Sequence, residues 1–529
     1  MRKRLLSLII VLCLAFGMIP TVSASEIASG TCGENLTWVL TDDGTLTIKG
    51  EGRMDNYSSG GPHAPWNDQL GSIEFVIISD GITSIGSCAF RQCYNLKKIT
   101  LPDTLVHIGY NAFDWCPDLT DITLPSSLTT IGSQAFRDCD SLTSISIPEK
   151  VTKIDDETFM DCAILEKVEL PESITHIGYY AFALSQLTDI NIPDTATHVD
   201  RTAFYWTPWA EKLSGGYVIV GDHILLGYYD KEPLIGTAVI PDGVKYVAPH
   251  AFAGNYKIDQ VKLPNSLIEI GHWAFESTSI SSITIPSSVS YIAGGAFQEC
   301  PNLNTVYFVG NAPTMEEDIF ADDSLTAYYP QNNPTWTSDM LLDYDGTTTW
   351  VGYTSFDDVP SDAFYFAPVV WASNNGITTG AAEDAFDPNG KCLRAHVVTF
   401  LHRAAENPEP TSTKNPFTDV KSSDFFYKPV LWAVEQKITN GISADKFGSY
   451  DVCNRAAVVT FLWRAAGSPE PASDDNPFKD VKPTDFFYKP VLWAVENGIT
   501  NGLTATEFGP GAACNRAQVV TFLYRAYND

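Results

Sequence analysis

Three arginines recur every 61 residues near the C-terminus, and they are the side chains best suited to bind an anion. Arg394, Arg455 and Arg516 each stand where an apolar periodicity such as RAQVVTFL predicts the first turn of a helix. A guanidinium group binds a carboxylate through two parallel hydrogen bonds, and a first turn adds unpaired backbone N–H groups and the positive end of the helix dipole. We therefore predict three carboxylate-binding sites. The alternative is that each arginine pairs with a carboxylate of a neighbouring module.

Other residues recur with the same period and complete the predicted sites. Glycines would let the backbone approach a ligand or would form turns that need positive φ, and tryptophans would stack on a sugar face or, as is commoner at helical spacing, fill a core. Asn454 and Asn515 occupy predicted N-cap positions, whereas Leu393 in the first module cannot cap a helix. Asn515 with Gln518 has capping-box spacing, so the third site is expected to be the best formed and the first the weakest. The glycines are Gly380, Gly441 and Gly502, and the tryptophans are Trp371, Trp432 and Trp493.

The elements that must position these residues form three modules, predicted at 356–405, 417–467 and 478–529. Each begins with an FxDV turn, followed by a helix that Pro429 or Pro490 is expected to open and that ends near a glycine such as Gly498. The helix that begins at the arginine comes second. Proline-rich linkers at 407–410 and 468–471 separate the modules.

These modules resemble S-layer homology (SLH) domains through FxDV, the Asn-Gly-Ile-Thr-x-Gly helix ending and the C-x-R-A helix start. The resemblance implies a pseudo-trimer of mainly helical modules that binds pyruvylated secondary cell wall polysaccharide in Gram-positive-type envelopes. The pyruvyl ketal would be the carboxylate that the arginines bind. This chain departs from the family's Thr before the arginine, with Leu393, Asn454 and Asn515, and from its Glu two residues after it, with His396, Ala457 and Gln518.

A second, shorter repeat precedes the modules. A phenylalanine, usually after alanine, recurs every 22 or 23 residues: Phe90, Phe113, Phe136, Phe159, Phe182, Phe204, Phe252, Phe275, Phe297 and Phe320. Within one repeat, alternating residues predict a strand that ends at Pro125, a second strand ends at Gly132, and Phe136 and Cys139 point inward. A unit this short cannot bury its apolar face alone, so the repeats should stack into a solenoid over 73–330. The insertion at about 206–240 is expected to form a hairpin.

The repeat, LxxIxLPxxLxxIGxxAFxxC, resembles the BspA-like, or Treponema-type, leucine-rich repeats. Segment 25–72, with its Asp43-Gly44 turn, is expected to cap the array, and 331–355 to be a linker. The predicted fold class is mixed: a β-rich leucine-rich-repeat solenoid followed by three mainly α-helical SLH modules forming a pseudo-trimer. The resemblance implies a cell-surface binding or adhesion protein with an unknown protein or glycan ligand.

Aromatic residues occupy variable positions of the repeat, where they could form such a binding surface. Stacked along one edge of the solenoid, they would make a platform for carbohydrate or protein, unless curvature buries them. These candidate ligand-face residues are Tyr110, Trp115, Tyr179, Tyr180, Trp206 and Trp273.

The thiols and histidines indicate packing rather than catalysis. Cysteines recur at repeat positions such as Cys116 and Cys139, as small buried thiols would, and only Cys32 with Cys88 is a candidate disulfide. His176 and His198 share a repeat position without a recurring partner ligand, so no metal site is predicted. We predict no catalytic residue and no cofactor, and hence no enzyme. The alternatives are a surface-displayed hydrolase that uses scattered carboxylates and a structural S-layer protein that assembles into a lattice.

Composition and charge set the remaining limits. The 529 residues carry a formal net charge of −31, most of it before residue 355, and such an acidic surface excludes nucleic acid as a partner. Residues 1–24 have the basic start, short apolar run and small terminal residues of a signal peptide. No later stretch is long and apolar enough for a membrane span. We therefore expect a secreted protein held at the cell wall.

Overall fold

The computed structural model describes residues 24–528 apart from 222, 231, 322 and 345. The predicted signal peptide, 1–24, lies almost entirely outside the described residues. The chain divides into two compact units, 1–231 and 232–529, which are described in turn.

The first unit begins with an antiparallel cap. The Asp43-Gly44 turn joins the second and third strands, as predicted, and Gly44 adopts φ +79° there. The third strand then pairs in parallel with the first strand of the repeats, so the cap covers the open end of the sheet. The cap strands are Glu26–Gly33, Leu36–Thr41, Thr45–Gly50 and Gly52–Arg53, followed by a short 3-10 turn at Asn67–Ser72.

Parallel ladders of very short strands make up the repeats of the first unit, which confirms the predicted solenoid. Each repeat contributes two to four residues to a ladder and then turns, so the side chains of successive repeats align in rows. The strands are Phe75–Ile78, Ile82–Ile85, Lys98–Thr100, His107–Ile108, Thr130–Ile131, Ser144–Ser146, Lys153–Ile154, Lys167–Glu169, His176–Ile177 and His198–Val199. The insertion forms the predicted hairpin from Gly216–Val220 and Ile224–Tyr229, after a 3-10 turn at Arg201–Phe204 and helix α1, Pro208–Glu211.

A stacked row of phenylalanines is the core of the repeats. Rings from Phe90 to Phe204 lie nearly parallel, with neighbouring centroids 5.2–5.7 Å apart, and Trp66 from the cap extends the row by stacking on Phe90 at 5.4 Å. Beside this row the thiol of Cys116 donates to the carbonyl of Phe90, and Cys139 donates to Phe113. All ten described cysteines are free, so Cys32 and Cys88 do not form the disulfide that the sequence left open.

The second unit continues with its own parallel ladders. Its strands are Gly236–Val239, Tyr246–Val247, Ile258–Lys262, Glu269–Ile270, Ser282–Ile285, Tyr291–Ile292, Thr305–Phe308, Thr314–Met315, Ser324–Pro330 and Thr347–Tyr353, with a 3-10 turn at Ser338–Met340. The last strand pairs along its whole length with Ser324–Pro330. Segment 331–355 is therefore not only a linker, because it adds one more strand to the sheet.

Six helices in the second unit form the three modules, two helices each. They are α2 (Phe366–Asn374), α3 (Arg394–Ala404), α4 (Tyr427–Glu435), α5 (Arg455–Ala465), α6 (Tyr488–Glu496) and α7 (Arg516–Tyr527). The prediction that proline opens the first helix was wrong by two residues, since Pro429 and Pro490 are the third residues of α4 and α6. A proline is tolerated there because the first-turn N–H groups have no intrahelical partner.

The modules form a closed ring, in which the second helix of each module packs on the first helix of the following module. Helix α3 packs on α4, α5 packs on α6, and α7 packs back on α2, while α3, α5 and α7 contact one another. Three backbone hydrogen bonds of 2.9–3.0 Å repeat the closure: Cys392 N–H donates to Cys514, Cys453 to Cys392, and Cys514 to Cys453. The predicted pseudo-trimer is therefore a closed cycle of three.

Candidate functional site

Each of the three arginines begins the second helix of its module and reaches into the following module. The Nε–H group donates to a phenylalanine carbonyl oxygen there, at 2.8–3.1 Å. The third arginine closes the cycle by reaching back to the first module, across 130 residues of sequence. The pairs are Arg394 with Phe447, Arg455 with Phe508, and Arg516 with Phe386.

Each guanidinium group also lies between two phenylalanine rings of the receiving module. For Arg455 the guanidinium carbon is 4.9 Å from the Phe508 centroid and 5.4 Å from that of Phe522. Arg394 lies between Phe447 and Phe461, and Arg516 between Phe386 and Phe400. We call each arginine with its carbonyl and two rings an arginine socket. Cation–π attraction strengthens when water is excluded, so the sockets bind the modules together.

Burial distinguishes the three sockets. Arg455 is 3% exposed and Arg516 8% exposed, whereas Arg394 is only half-buried. Arg455 also donates through Nη2 to Thr500 Oγ1 at 2.9 Å. Burial lowers the pKa of all three guanidinium groups, yet arginine remains charged at neutral pH. Ion pairs within 4.0 Å among the described residues do not include these three arginines, although carboxylates of the receiving module act on two of them electrostatically, Asp451 and Asp419 on Arg394 and Asp387 and Asp358 on Arg516.

The helix N-termini beside the arginines are not open, which corrects the prediction of unpaired N–H groups there. In α5 the N–H groups of Arg455 and Ala456 donate to carbonyl oxygens of the third module, at Ala512 and Pro510. The same positions of α3 and α7 donate to the second and first modules. Ring closure has satisfied the groups that an isolated helix would leave for a ligand.

The capping predictions are confirmed. Asn454 Oδ1 accepts from the N–H of Ala457, and Asn515 with Gln518 forms a complete capping box. Leu393 provides no cap. The half-buried Arg394 therefore begins the least reinforced helix of the three.

The recurring glycines and tryptophans lie in structural positions. Gly380, Gly441 and Gly502 have φ of +81° to +85°, and a Cβ on Gly441 would lie 2.5 Å from the Phe417 ring. Trp432 is buried against His402 of α3, while Trp371 and Trp493 are partly buried against the same core. These tryptophans fill interfaces between modules, which is the commoner of the two roles that the sequence allowed.

Aromatic candidates on the solenoid meet at one place in the first unit. Tyr179 and Tyr180 have ring centroids 3.9 Å apart, and the Tyr180 ring is 5.8 Å from that of Trp206, which is 60% exposed. Tyr110 and Trp115 are exposed on earlier turns. Trp273 belongs to the second unit, where its indole stacks on His250 with centroids 5.1 Å apart. The predicted single row is thus one cluster, in which Tyr179 and Trp206 are exposed and Tyr180 is half-buried, with separate outlying residues.

Solenoid and ring share one hydrophobic core within the second unit. Tyr307 and Tyr353, from the solenoid strands, contact Phe366 at the start of α2 edge-to-face, with centroids 5.8 and 6.2 Å apart. The buried Tyr353 hydroxyl donates to the carbonyl of Phe308 at 3.0 Å. This packing is of the kind found inside a domain rather than along a flexible linker.

The phenylalanines of the sockets were missed at the level of sequence. Phe386, Phe447 and Phe508 recur every 61 residues, as do Phe400, Phe461 and Phe522, so the periodicity that identified the arginines contained the signal. That each arginine uses the rings of the next module could not be read from spacing alone.

The described residues contain no group of three or more His, Cys, Asp or Glu side chains arranged to hold a metal ion. His176 and His198 are neighbours on adjacent turns, as expected, with ring centroids 4.4 Å apart. Among the helices that the structure describes, none has the length and apolar character needed to cross a membrane.

Two family models match this chain, and solved leucine-rich repeat proteins are similar to part of it. Residues 68–183 and 228–340 match the BspA type leucine rich repeat region, and residues 355–398, 416–456 and 477–520 match the S-layer homology domain. A solved leucine rich cell surface protein from Faecalibacterium prausnitzii is 23% identical, with a TM-score of 0.30, and the match covers 61% of this chain and 98% of that one. A leucine-rich repeat protein from Eubacterium ventriosum is 25% identical, with a TM-score of 0.33 and coverage of 61% and 85%.

Curated relatives match only over short segments. An endoglucanase of Bacillus sp. (strain KSM-635) is 36% identical over 24% of this chain and 13% of its own length. A cell surface protein of Thermoanaerobacter kivui is 30% identical over 26% of this chain and 19% of its own. The chain thus spans less than a fifth of the length of these relatives. The two kinds of repeat, the ring and the family matches together show that the chain contains a region of BspA type leucine-rich repeats and three S-layer homology domains.

Proposed function

We propose that this protein is a non-catalytic cell-surface binding protein, which displays its repeat solenoid while the SLH ring holds it non-covalently to cell wall polysaccharide. The observation that carries the proposal is the closed ring of three arginine sockets beside a solenoid end with which it shares a core. The three guanidinium groups have no ion-pair partner within 4.0 Å among the described residues, and we infer that they supply local positive potential in a chain whose formal net charge is −31.

The polysaccharide feature that suits this potential is a carboxylate, such as the pyruvyl ketal of secondary cell wall polysaccharide. Each guanidinium group has five N–H donors, and the contacts within the described residues use one or two of them. Arg394 is half-buried and so has the shortest path to a ligand. Arg455 and Arg516 would act mainly by holding the ring closed and by contributing charge. This division of roles replaces the expected order of sites, in which the third was best.

Display is the second part of the proposal. Tyr179 and Trp206 are exposed aromatic rings that cluster around the half-buried Tyr180 on the first unit, and such a cluster is costly to leave in water without a ligand. We propose it as part of the ligand face, for a glycan or protein outside the wall.

The test is sedimentation of the full-length protein with purified Gram-positive cell walls, before and after mild-acid removal of pyruvyl ketals. We expect retention on intact walls and at least a ~10-fold loss of affinity after ketal removal, as loss of a charge-assisted contact would give. Arg394→Ala should weaken retention while the ring stays folded. Gln436→Ala, at an exposed helix end of the second module, is the control and should bind as the wild type does. Equal retention on treated and untreated walls would refute the carboxylate mechanism.

A further inference from the structure

A gap interrupts the row of variable side chains on the second unit. At two variable positions of each repeat, one turn has His272 and Trp273 and another has Glu317 and Asp318, but the turn between them has only Gly294 and Gly295. The missing side chains leave an open groove of about 560 Å³, lined by these residues together with Met315 and Gln298. The gap is therefore set by the sequence.

The indole of Trp273 is fixed as one wall of this groove. One face stacks on His250, with an interplanar angle of 10°. Gly295 lies close to the other side of the contact, since a Cβ there would lie 2.4 Å from indole Cδ1 and Nε1. Trp273 is 39% exposed, so part of the ring remains available for the aliphatic stem of a ligand to pack against.

A second groove adjoins the first. It has a volume of about 620 Å³, shares Met315 and Glu317 with its neighbour, and is also lined by Asp339, Asp343 and Tyr344. We call the two adjoining grooves together, defined by Trp273, Gly295, Met315, Glu317, Asp339 and Asp343, the acidic trough.

The grooves are lined by several carboxylates and by one histidine, His272, whose Nδ1 lies 3.6 Å from Glu316. No lysine or arginine occurs between Lys262 and Lys391, whereas Asp and Glu recur through that stretch. Glu316 is already used within the protein, since it accepts the Tyr291 hydroxyl and, at 2.9 Å, the N–H of Gly294. Glu317, Asp339 and Asp343 line the grooves on both sides of Met315. Several carboxylates beside open grooves focus a negative potential that favours a cationic ligand.

We propose that the acidic trough binds a basic peptide segment of a partner protein, with a lysine or arginine side chain in each groove. The ammonium or guanidinium groups pair with Glu317, Asp339 and Asp343, and the aliphatic stems pack on the exposed part of Trp273 and on Met315. Met315 suits this position because a flexible, polarisable thioether adapts to irregular chains. The inference rests on the proposed display function, for which it names one class of partner.

The test uses the full-length protein and a fluorescent peptide that alternates lysine and arginine with serine. Its control peptide has acetyl-lysine and citrulline, which keep the length and remove the charge. We expect affinity for the charged peptide to be at least ~10-fold higher than for the neutral one, and to fall as salt rises from about 0.05 to 0.5 M. Equal affinity for the two peptides, or binding that salt does not weaken, would overturn the proposal.

Matched variants locate the binding. Glu317→Lys should reduce affinity at least ~10-fold, because it places a like charge between the two grooves. Asp259→Lys makes the same charge change at an exposed strand position of the same unit and should reduce affinity by no more than ~2-fold. Equal losses in both variants would show a non-specific acidic surface and refute the site. The site would also be refuted if a neutral chitin oligosaccharide bound the wild type and lost affinity with Glu317→Lys.

Wall retention separates this inference from the anchoring function. Glu317→Lys should sediment with cell walls as wild type does, since the trough is not part of the ring. Failed peptide binding with normal wall retention would overturn only the trough. Failed wall retention with normal peptide binding would overturn only the anchor.

Discussion

Truncation of Arg455 should open the ring, and the size of the effect follows from its socket. Arg455→Ala removes charge-assisted hydrogen bonds to Phe508 O and Thr500 Oγ1, at 3.0 and 2.9 Å, worth about 1.5–3 kcal/mol each. It also removes two cation–π contacts worth roughly 0.5–2 kcal/mol each. Burying a guanidinium group costs several kcal/mol, which the variant no longer incurs. The net expectation is a destabilisation of about 2–4 kcal/mol, confined to the ring.

Arg394→Ala is the matched comparison. Its guanidinium group makes one hydrogen bond of 3.1 Å and two cation–π contacts, which are weaker at a half-buried position, so the expected cost is about 1–2 kcal/mol. Arg455→Lys should fall between wild type and Arg455→Ala, because an ammonium group keeps the charge but cannot reproduce the planar fork.

The assay is hydrogen exchange read by mass spectrometry on peptides from α5, α6 and α7, which reports local opening free energies in a chain with more than one cooperative unit. Peptides from the first unit serve as the internal reference and should not change. If Arg455→Ala alters protection by less than ~1 kcal/mol, or if Arg394→Ala costs more than Arg455→Ala, the reasoning from burial and bonding is wrong.

Three further predictions concern other parts of the molecule. Gly441→Ala should destabilise the ring by about 2–4 kcal/mol, because its φ is +81° and the new methyl would meet the Phe417 ring at 2.5 Å. Gly467→Ala is the control: its φ is +85° but the space around it is open, so chemical denaturation should show a cost of only ~1 kcal/mol. Burial and the nearby charge of Asp161 raise the pKa of Asp138 to about 6, so its charge opposes folding above that pH, and this destabilising contribution disappears as pH falls from about 7 towards 4. Asp138→Asn, which tolerates the local φ of +58°, should therefore raise stability by ~1 kcal/mol at pH 8 and by much less at pH 4, and an equal gain at both pH values would contradict the assignment. Burial raises the pKa of the thiols of Cys93, Cys139 and Cys162. A thiol reagent should therefore label the partly exposed Cys88 first in the native protein and the other three only after unfolding. Rapid labelling of Cys139 without denaturant would contradict the packing.

The fold was largely predictable because both repeats are local in sequence. The inward direction of Phe136 and Cys139 follows from period and residue type, and both are fully buried. The capping box at Asn515 and Gln518 needs only four consecutive residues, and it was found. Each of these features depends on short-range geometry that a sequence displays directly.

The candidate site was less predictable because its contacts cross module boundaries. Arg516 was correctly placed at a helix start, but its partner Phe386 lies 130 residues earlier, and no local rule indicates that separation. The open N-termini expected for α3, α5 and α7 were a property of isolated helices, and packing between modules removed it. The extra strand at Thr347–Tyr353 was missed because its sequence lacks the Phe of the repeat, although its pairing is continuous.

Closure of the ring has a consequence for how such a chain can change over evolutionary time. The second helix of every module completes the first helix of the next, and the last module completes the first. Duplication or deletion of a single 61-residue unit would leave one second helix and one first helix in the wrong geometry to pack on each other. Gene rearrangements that keep the array functional should therefore gain or lose these units three at a time, while single substitutions at one interface can drift apart from those at the other two.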